Sequence, residues 1–240
     1  MEKLKKIIFN VIFYITVIAI IVAVFLVMMF VVMKLNVSAM SGISQGACVL
    51  IDPGHGAEDG GAESEDGVIE KDVNLSIALM LRDYLELSGC KVIMTRDDDE
   101  IPGQGETLKD KLHDDFVSRL SMFNDSDVDI VVSIHQNKFT DPQYSGAQVF
   151  YSPNDPNSEH LAVCVRRAFR GLLQPDNDRD IVKAGSNIYL LNNCNKPSIL
   201  VECGFLSNPE EAHLLASEDY QRQAAFAIGC GIIEYLDAQK

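Results

Sequence analysis

The stretch Asp129-Ile130-Val131-Val132-Ser133-Ile134-His135-Gln136-Asn137 is an apolar run of strand length that ends in polar side chains. Runs of the same length at 48–51, 91–94, 148–151, 188–191 and 199–201 read as further strands. Between them, residues 73–87 set Leu75, Ala78, Leu79, Leu81 and Leu85 on one helical face, and 108–123, 160–172 and 220–236 carry helical patterns too. Alternating strands and helices predict an α/β fold, with one domain over 47–238 and six strands in a largely parallel sheet flanked by helices on both faces.

Open sheets of this kind build their sites at the carboxyl ends of the strands. The first strand runs into Asp52-Pro53-Gly54-His55-Gly56, where two glycines let the backbone turn tightly and expose an imidazole. The third ends at His135, which puts a second imidazole on the same edge. The last, around 199–201, ends in Glu202-Cys203-Gly204-Phe205 and brings a carboxylate there from a strand suited to full burial. Singly, a strand-end histidine is more often a hydrogen-bonded structural residue than a ligand. Together, two imidazoles and an acid at one edge specify chemistry.

These blocks carry a resemblance. Asp52-Pro53-Gly54-His55-Gly56, Glu70-Lys71-Asp72, Ser133-Ile134-His135-Gln136-Asn137 and Val201-Glu202-Cys203-Gly204-Phe205-Leu206-Ser207-Asn208 resemble, in order, the signature blocks of zinc-dependent N-acetylmuramoyl-L-alanine amidases of the amidase-3 family. The resemblance spans residues 47–238 and implies a twisted six-stranded sheet, one zinc ion (Zn2+) held by His55, Glu70 and His135, and Glu202 as the catalytic carboxylate. Two imidazoles and one carboxylate leave the fourth position of a tetrahedral zinc open for water, whose pKa such an ion lowers to about 7. Glu202 is then expected to take the water proton and return it to the leaving nitrogen. The family usually has a second glycine where this chain has Ala57, and a smaller residue than Gln136.

Other polar residues have plainer readings. Glu70 suits a helix first turn for dipole reasons alone. Asn137 is a candidate substrate contact, or an Asx turn. Arg96 is expected to pair with a nearby acid. Asn208 or Ser207 reads as a helix cap ahead of Pro209, and His113, His160 and His213 as surface positions.

Ile7 to Met33 forms 27 consecutive residues without Asp, Glu, Lys or Arg, enough for a membrane-spanning helix. Lys3, Lys5 and Lys6 precede it and Lys34 follows, so residues 1–6 are expected in the cytoplasm, 7–33 in the bilayer, 34–46 as a linker and the domain outside; the resemblance to spore-type amidases implies that in a forespore it would face the intermembrane space. Val37-Ser38-Ala39 resembles a signal-peptide cleavage site, but the apolar stretch far exceeds the usual length, which favours an uncleaved anchor. Beyond residue 34 stand 16 basic against 34 acidic residues, a formal charge of −18. That balance disfavours nucleic acid as a partner. Six cysteines without a C-x-x-C pair read as small buried hydrophobes.

Within the family the chain resembles the short, singly anchored amidases of endospore formers that act on spore cortex and help generate muramic-δ-lactam. Peptidoglycan or cortex glycan with peptide side chains is then the substrate, with the need for an accessory protein open. A non-catalytic peptidoglycan-binding scaffold and a zinc peptidase cutting within the stem peptide are the alternatives. Residues 98–129 have room for one turn region and one helix, so no inserted plug over the site is expected.

Overall fold

The run that begins at Ile130 forms a strand, and its side chains alternate between two helical layers. The computed structural model describes residues 13–18, 21–25, 27–28 and 46–239. Two compact units divide the chain, Met1–Ile43 and Ser44–Lys240. Most of the span predicted at 7–33, with residues 1–6 and all but the last residue of the 34–46 linker, lies outside the described residues. Among the described residues no helix is long and apolar enough to cross a membrane.

The second unit runs β1 (Cys48–Pro53), α1 (Glu70–Leu87), β2 (Lys91–Met94), α2 (Leu108–Phe123), β3 (Ile130–Asn137), β4 (Gln148–Tyr151), α3 (Asn157–Leu172), β5 (Val182–Lys183), α4 (Tyr189–Asn193), β6 (Ser198–Phe205), α5 (Pro209–Leu215) and α6 (Glu218–Ala238). The strands form one six-stranded sheet in the order β2-β1-β3-β6-β4-β5. It is a mixed sheet and not the largely parallel one expected, because β4 lies antiparallel to β6. The loop from Lys138 to Ala147 carries no helix, and a strand running parallel to β3 in the same sheet would need a longer crossover. The chain therefore returns from β3 in the opposite direction.

The run at 188–191 is not a strand but the start of α4, while the sixth strand is β5, two exposed residues at the sheet edge. A short apolar run cannot be assigned by periodicity alone; here Leu191 is buried as one turn of helix against the sheet. In α1 the buried stripe is Val73, Ile77, Leu81 and Leu85, at intervals of four with Ala78 beside them, whereas Leu75 and Leu79 are half-buried. Asn208 caps α5 by accepting from the Glu211 N–H, with Pro209 in the first turn, as the sequence suggests.

The larger core lies under α1, α3 and α6, where Val49, Ile51, Val132, Ile134, Ile199 and Val201 point. Leu50, Val131 and Leu200 point to the other face, against Phe123 and Leu191 of α2 and α4. All six cysteines are free thiols, five of them buried. Residues 98–129 contain the single helix α2.

Candidate active site

Strand alternation fixes which polar side chains meet. On the α2 and α4 face, Asp52 follows Leu50, Ser133 and His135 follow Val131, and Glu202 follows Leu200. His135 and Glu202 are paired across β3 and β6, and Asp52 and Ser133 across β1 and β3. The apolar side chains of this thinner face thus give way to polar ones toward the carboxyl ends of three adjacent parallel strands. The chain turns from β1 outward to β2 and comes back on the other side as β3, which makes the β1/β3 boundary a topological switch point where such sheets bind ligands.

His55, Glu70 and His135 converge there, with one ligand atom from each within 4.8 Å of the others. Glu70 is the first residue of α1 and is buried. Its Oε2 lies 3.3 Å from His55 Nε2 and its Oε1 3.0 Å from His135 Nδ1. Backbone N–H groups of Ala62 and Gln136 donate to the two oxygens at 2.8 and 3.1 Å and fix the carboxylate in place. Behind His55, Asp59 Oδ2 sits 2.8 Å from Nδ1, which leaves Nε2 turned toward Glu70. A carboxylate behind a metal-binding imidazole sets its tautomer and raises its basicity. Two nitrogens and one carboxylate, with this support, are a donor set suited to a divalent metal ion.

The charges agree with that reading. Burial works against a charged His55, but its hydrogen bonds to Asp59 and Glu70 outweigh it and raise its pKa to about 10. Burial likewise opposes the Glu70 carboxylate, and the hydrogen bonds and charges of His135 and His55 hold it well below the usual range. Without a metal, these carboxylates favour a proton on the His55 imidazole, and a divalent cation would take that place.

The loop that presents His55 is strained and buttressed. His55 and Ala57 both adopt left-handed backbone, at φ 63° and 49°, which costs a non-glycine residue roughly 1–2 kcal/mol. That conformation is the reason a glycine is usual at the position of Ala57. Here Asp99 O accepts from the Ala57 N–H at 2.8 Å, and Lys71 Nζ donates to the Ala57 carbonyl at 2.8 Å. Two buried arginines hold the preceding carbonyls. Arg96 donates to Pro53 O and Gly54 O, each at 3.0 Å, and Arg119 donates to Pro53 O at 2.9 Å and His55 O at 2.8 Å. Arg96 is thus bound to backbone carbonyls instead of the local acid expected for it. A Cβ on Gly54 would stand 2.1 Å from His135 Cε1, and one on Gly61 2.6 Å from Glu70 Oε2, so both glycines are required by close approach.

Glu202 is half-buried beside this cluster. Its Oε2 is enclosed without a hydrogen-bond partner. Burial pushes its pKa up to about 7, Glu70 adding to the rise and the two histidines opposing it. A carboxyl poised near neutrality and free of partners can both accept and donate a proton.

A profile of N-acetylmuramoyl-L-alanine amidases, Amidase_3, matches residues 49–234. The chain belongs to that family. Among similar amidases is the germination-specific N-acetylmuramoyl-L-alanine amidase of Bacillus subtilis (strain 168), 38% identical over 193 residues that cover 80% of each chain. The CwlD amidase of Clostridioides difficile, solved in complex with the GerS lipoprotein, is 39% identical with a TM-score of 0.77, over 80% of this chain and 99% of that one. An N-acetylmuramoyl-L-alanine amidase from Clostridium difficile 630 is 34% identical, TM-score 0.69, over 82% of this chain and 100% of that one.

The remaining candidates of the amidase site are also placed. Asn137 lines a groove that opens past the end of β3. Gln136, by strand alternation, points the other way: it is buried, and its Nε2 donates to Asn74 Oδ1 at 3.1 Å. It supports α1 and does not shape the groove. His113, His160 and His213 are exposed. Asp59 and Arg119 escaped the sequence reading. An acid four residues after a motif histidine is a usable signal for the first; a mid-helix arginine gives none for the second.

Proposed function

We infer that this amidase hydrolyses the amide between N-acetylmuramic acid and the L-alanine of the stem peptide in spore-cortex peptidoglycan. The observation that carries it is the His55, Glu70 and His135 cluster beside the unpartnered Glu202, in a chain of this family. The three clustered residues would hold zinc. Zinc in such a site supplies Lewis acidity, polarising an amide carbonyl and making water nucleophilic near neutral pH. Glu202 accepts the proton of the attacking water as its oxygen bonds to the lactyl carbonyl carbon, then delivers it to the alanine nitrogen as the carbon–nitrogen bond breaks. A lactyl carboxylate and a peptide with a free N-terminal alanine result. Asn137, which lines the groove past the end of β3, is the substrate hydrogen-bond contact in this reading.

The same proposal puts the domain on the outer side of the membrane, held by the apolar segment 7–33; the support is that segment's length and its flanking lysines. An accessory protein is part of it as well, supported by the complex of the CwlD amidase with a lipoprotein.

Mass spectrometry of cortex fragments after incubation with zinc-supplemented protein tests the reaction. Intact stem peptides with free N-terminal alanine are expected. Cuts within the peptide would replace the proposal by a peptidase, and zinc-bound protein that binds fragments without cutting them would replace it by a scaffold. Asp59→Asn, which weakens the support of His55, should lower zinc affinity about 10–100-fold, read by competition with a chromogenic chelator. An unchanged affinity would remove Asp59 from the site.

A further inference from the structure

Beyond Asn137 the site continues into a groove of about 310 Å³ whose walls are aromatic and which contains one cation, Arg179. Gln148 is the Cα partner of Glu202 across β4 and β6, as His135 is across β3 and β6. These three side chains form a row on one face of the sheet, each one strand spacing of about 4.8 Å from the next. Arg179 Nη1 donates to Gln148 Oε1 at 3.0 Å, so the guanidinium stands at the end of that row.

Its neighbours position it without neutralising it. Nε donates to Ser145 O at 2.7 Å. The guanidinium carbon lies 4.6 Å from the Phe205 ring centroid and 5.8 Å from that of Tyr144, and Phe139 packs edge-on against Tyr144 at 5.0 Å. Among the described residues, no carboxylate forms an ion pair with Arg179. Glu211 feels its charge, but its oxygens accept from the Gly146 and Phe205 N–H groups at 2.9 and 2.8 Å. In a domain with twice as many acids as bases, an arginine clamped in a fixed orientation with no carboxylate partner is an anion receptor.

Resting on the amidase reading, the chemistry of the polymer says which anion. The muramic carboxyl is consumed in the scissile amide, so the glycan chain offers no carboxylate next to the cut. The peptide does: its second residue, D-glutamate, continues the chain through the side-chain carboxyl and keeps a free α-carboxylate. We propose that Arg179 binds this peptide carboxylate and selects stem peptides in which it is free over those in which it is amidated. The aromatic walls pack against the peptide on either side, and Arg179 acts on binding while Glu202 acts on the bond.

The test compares full-length wild type, Arg179→Gln and Arg179→Lys on two muropeptides that differ only in the α-carboxylate or α-carboxamide of the second residue. Binding of the released free peptides is followed by calorimetry beside KM and kcat. Wild type should favour the carboxylate form in KM and in binding by roughly 10–100-fold, the range for one charge-assisted pair. Arg179→Gln should lose that preference by weakening the acid form alone, and Arg179→Lys should keep part of it. Equal weakening of both forms, or no preference in wild type, overturns the proposal and leaves Arg179 as a brace for β4. Failure of wild type to cleave either muropeptide at all strikes the amidase reading instead.

Discussion

Replacing Glu202 by alanine should lower kcat by about 10²–10⁴-fold, the usual worth of a positioned acid–base group, while zinc content and melting temperature stay near those of wild type. The separation follows from what Glu202 touches. The converging ligand atoms belong to His55, Glu70 and His135, so the metal keeps its donors. Glu202 Oε2 has no hydrogen-bond partner, so removing it orphans nothing, and it takes away a carboxylate that burial already disfavours. Glu202→Gln retains the shape and cannot take the proton, so it should be nearly as inactive. Steady-state kinetics with metal analysis on the same preparations decides it. A kcat within tenfold of wild type for either variant would move the proton to another group. Loss of zinc in Glu202→Gln would make the residue a ligand.

How much of this was legible depends on whether the interaction was local. The runs at 91–94 and 148–151 are strands with those bounds, and 108–123 is a helix with its own, because Thr107 caps it and its apolar positions repeat with the turn. His55, His135 and Glu202 were legible because each ends a run that would otherwise be apolar. The convergence of Glu70 on them was not a local fact; a first-turn acid looks the same whether it faces solvent or a ligand set. The sense of β4 was equally hidden, since an apolar strand does not state the direction of its neighbour. Least legible were the supports: Arg96 and Arg119 reach carbonyls more than 40 positions earlier in the chain, and nothing near them in sequence signals it. Asp52 carries a signal of its own. A charged residue inside a fully buried strand requires a buried partner, and a second strand with Ser133 in register gives it one.

The charged partner of Asp52, Arg119, leads to the largest expected effect on stability. Arg119→Ala should cost about 3–5 kcal/mol, because truncating one half of a buried pair leaves the other charge uncompensated. For a domain of this size the melting temperature should fall by roughly 6–20 °C. Arg119 Nη1 lies 2.6 Å from Asp52 Oδ1, with 3% and 1% of the two side chains exposed. Its Nε lies 2.8 Å from Asp115 Oδ2. The two acids respond oppositely: burial outweighs the pairing at Asp115 and raises its pKa, whereas at Asp52 burial is overcome by the Arg119 charge and by bonds from Ser133 and Thr95, and the pKa is lowered. Asp52 is therefore the acid whose charge the fold uses. A depressed folded pKa contributes stability that is complete above the unfolded value near 3.9 and is lost as pH falls through the folded one. In Arg119→Ala the opposing charge is gone and burial is countered only by the bonds from Ser133 and Thr95 and the charge of His135, so the charged form of Asp52 is penalised and the penalty fades on acidification. The gap in melting temperature between wild type and variant should thus be widest near neutral pH and narrow as pH drops toward about 4. Adding Asp52→Asn to Arg119→Ala removes the stranded charge and should recover part of the loss. A gap independent of pH, or a double variant weaker than the single by the full effect of each, would mean that Arg119 acts by packing and by its bonds to Pro53 O and His55 O alone. In that case the variant should still lose zinc affinity, because the His55 carbonyl that anchors the left-handed turn would have lost its donor.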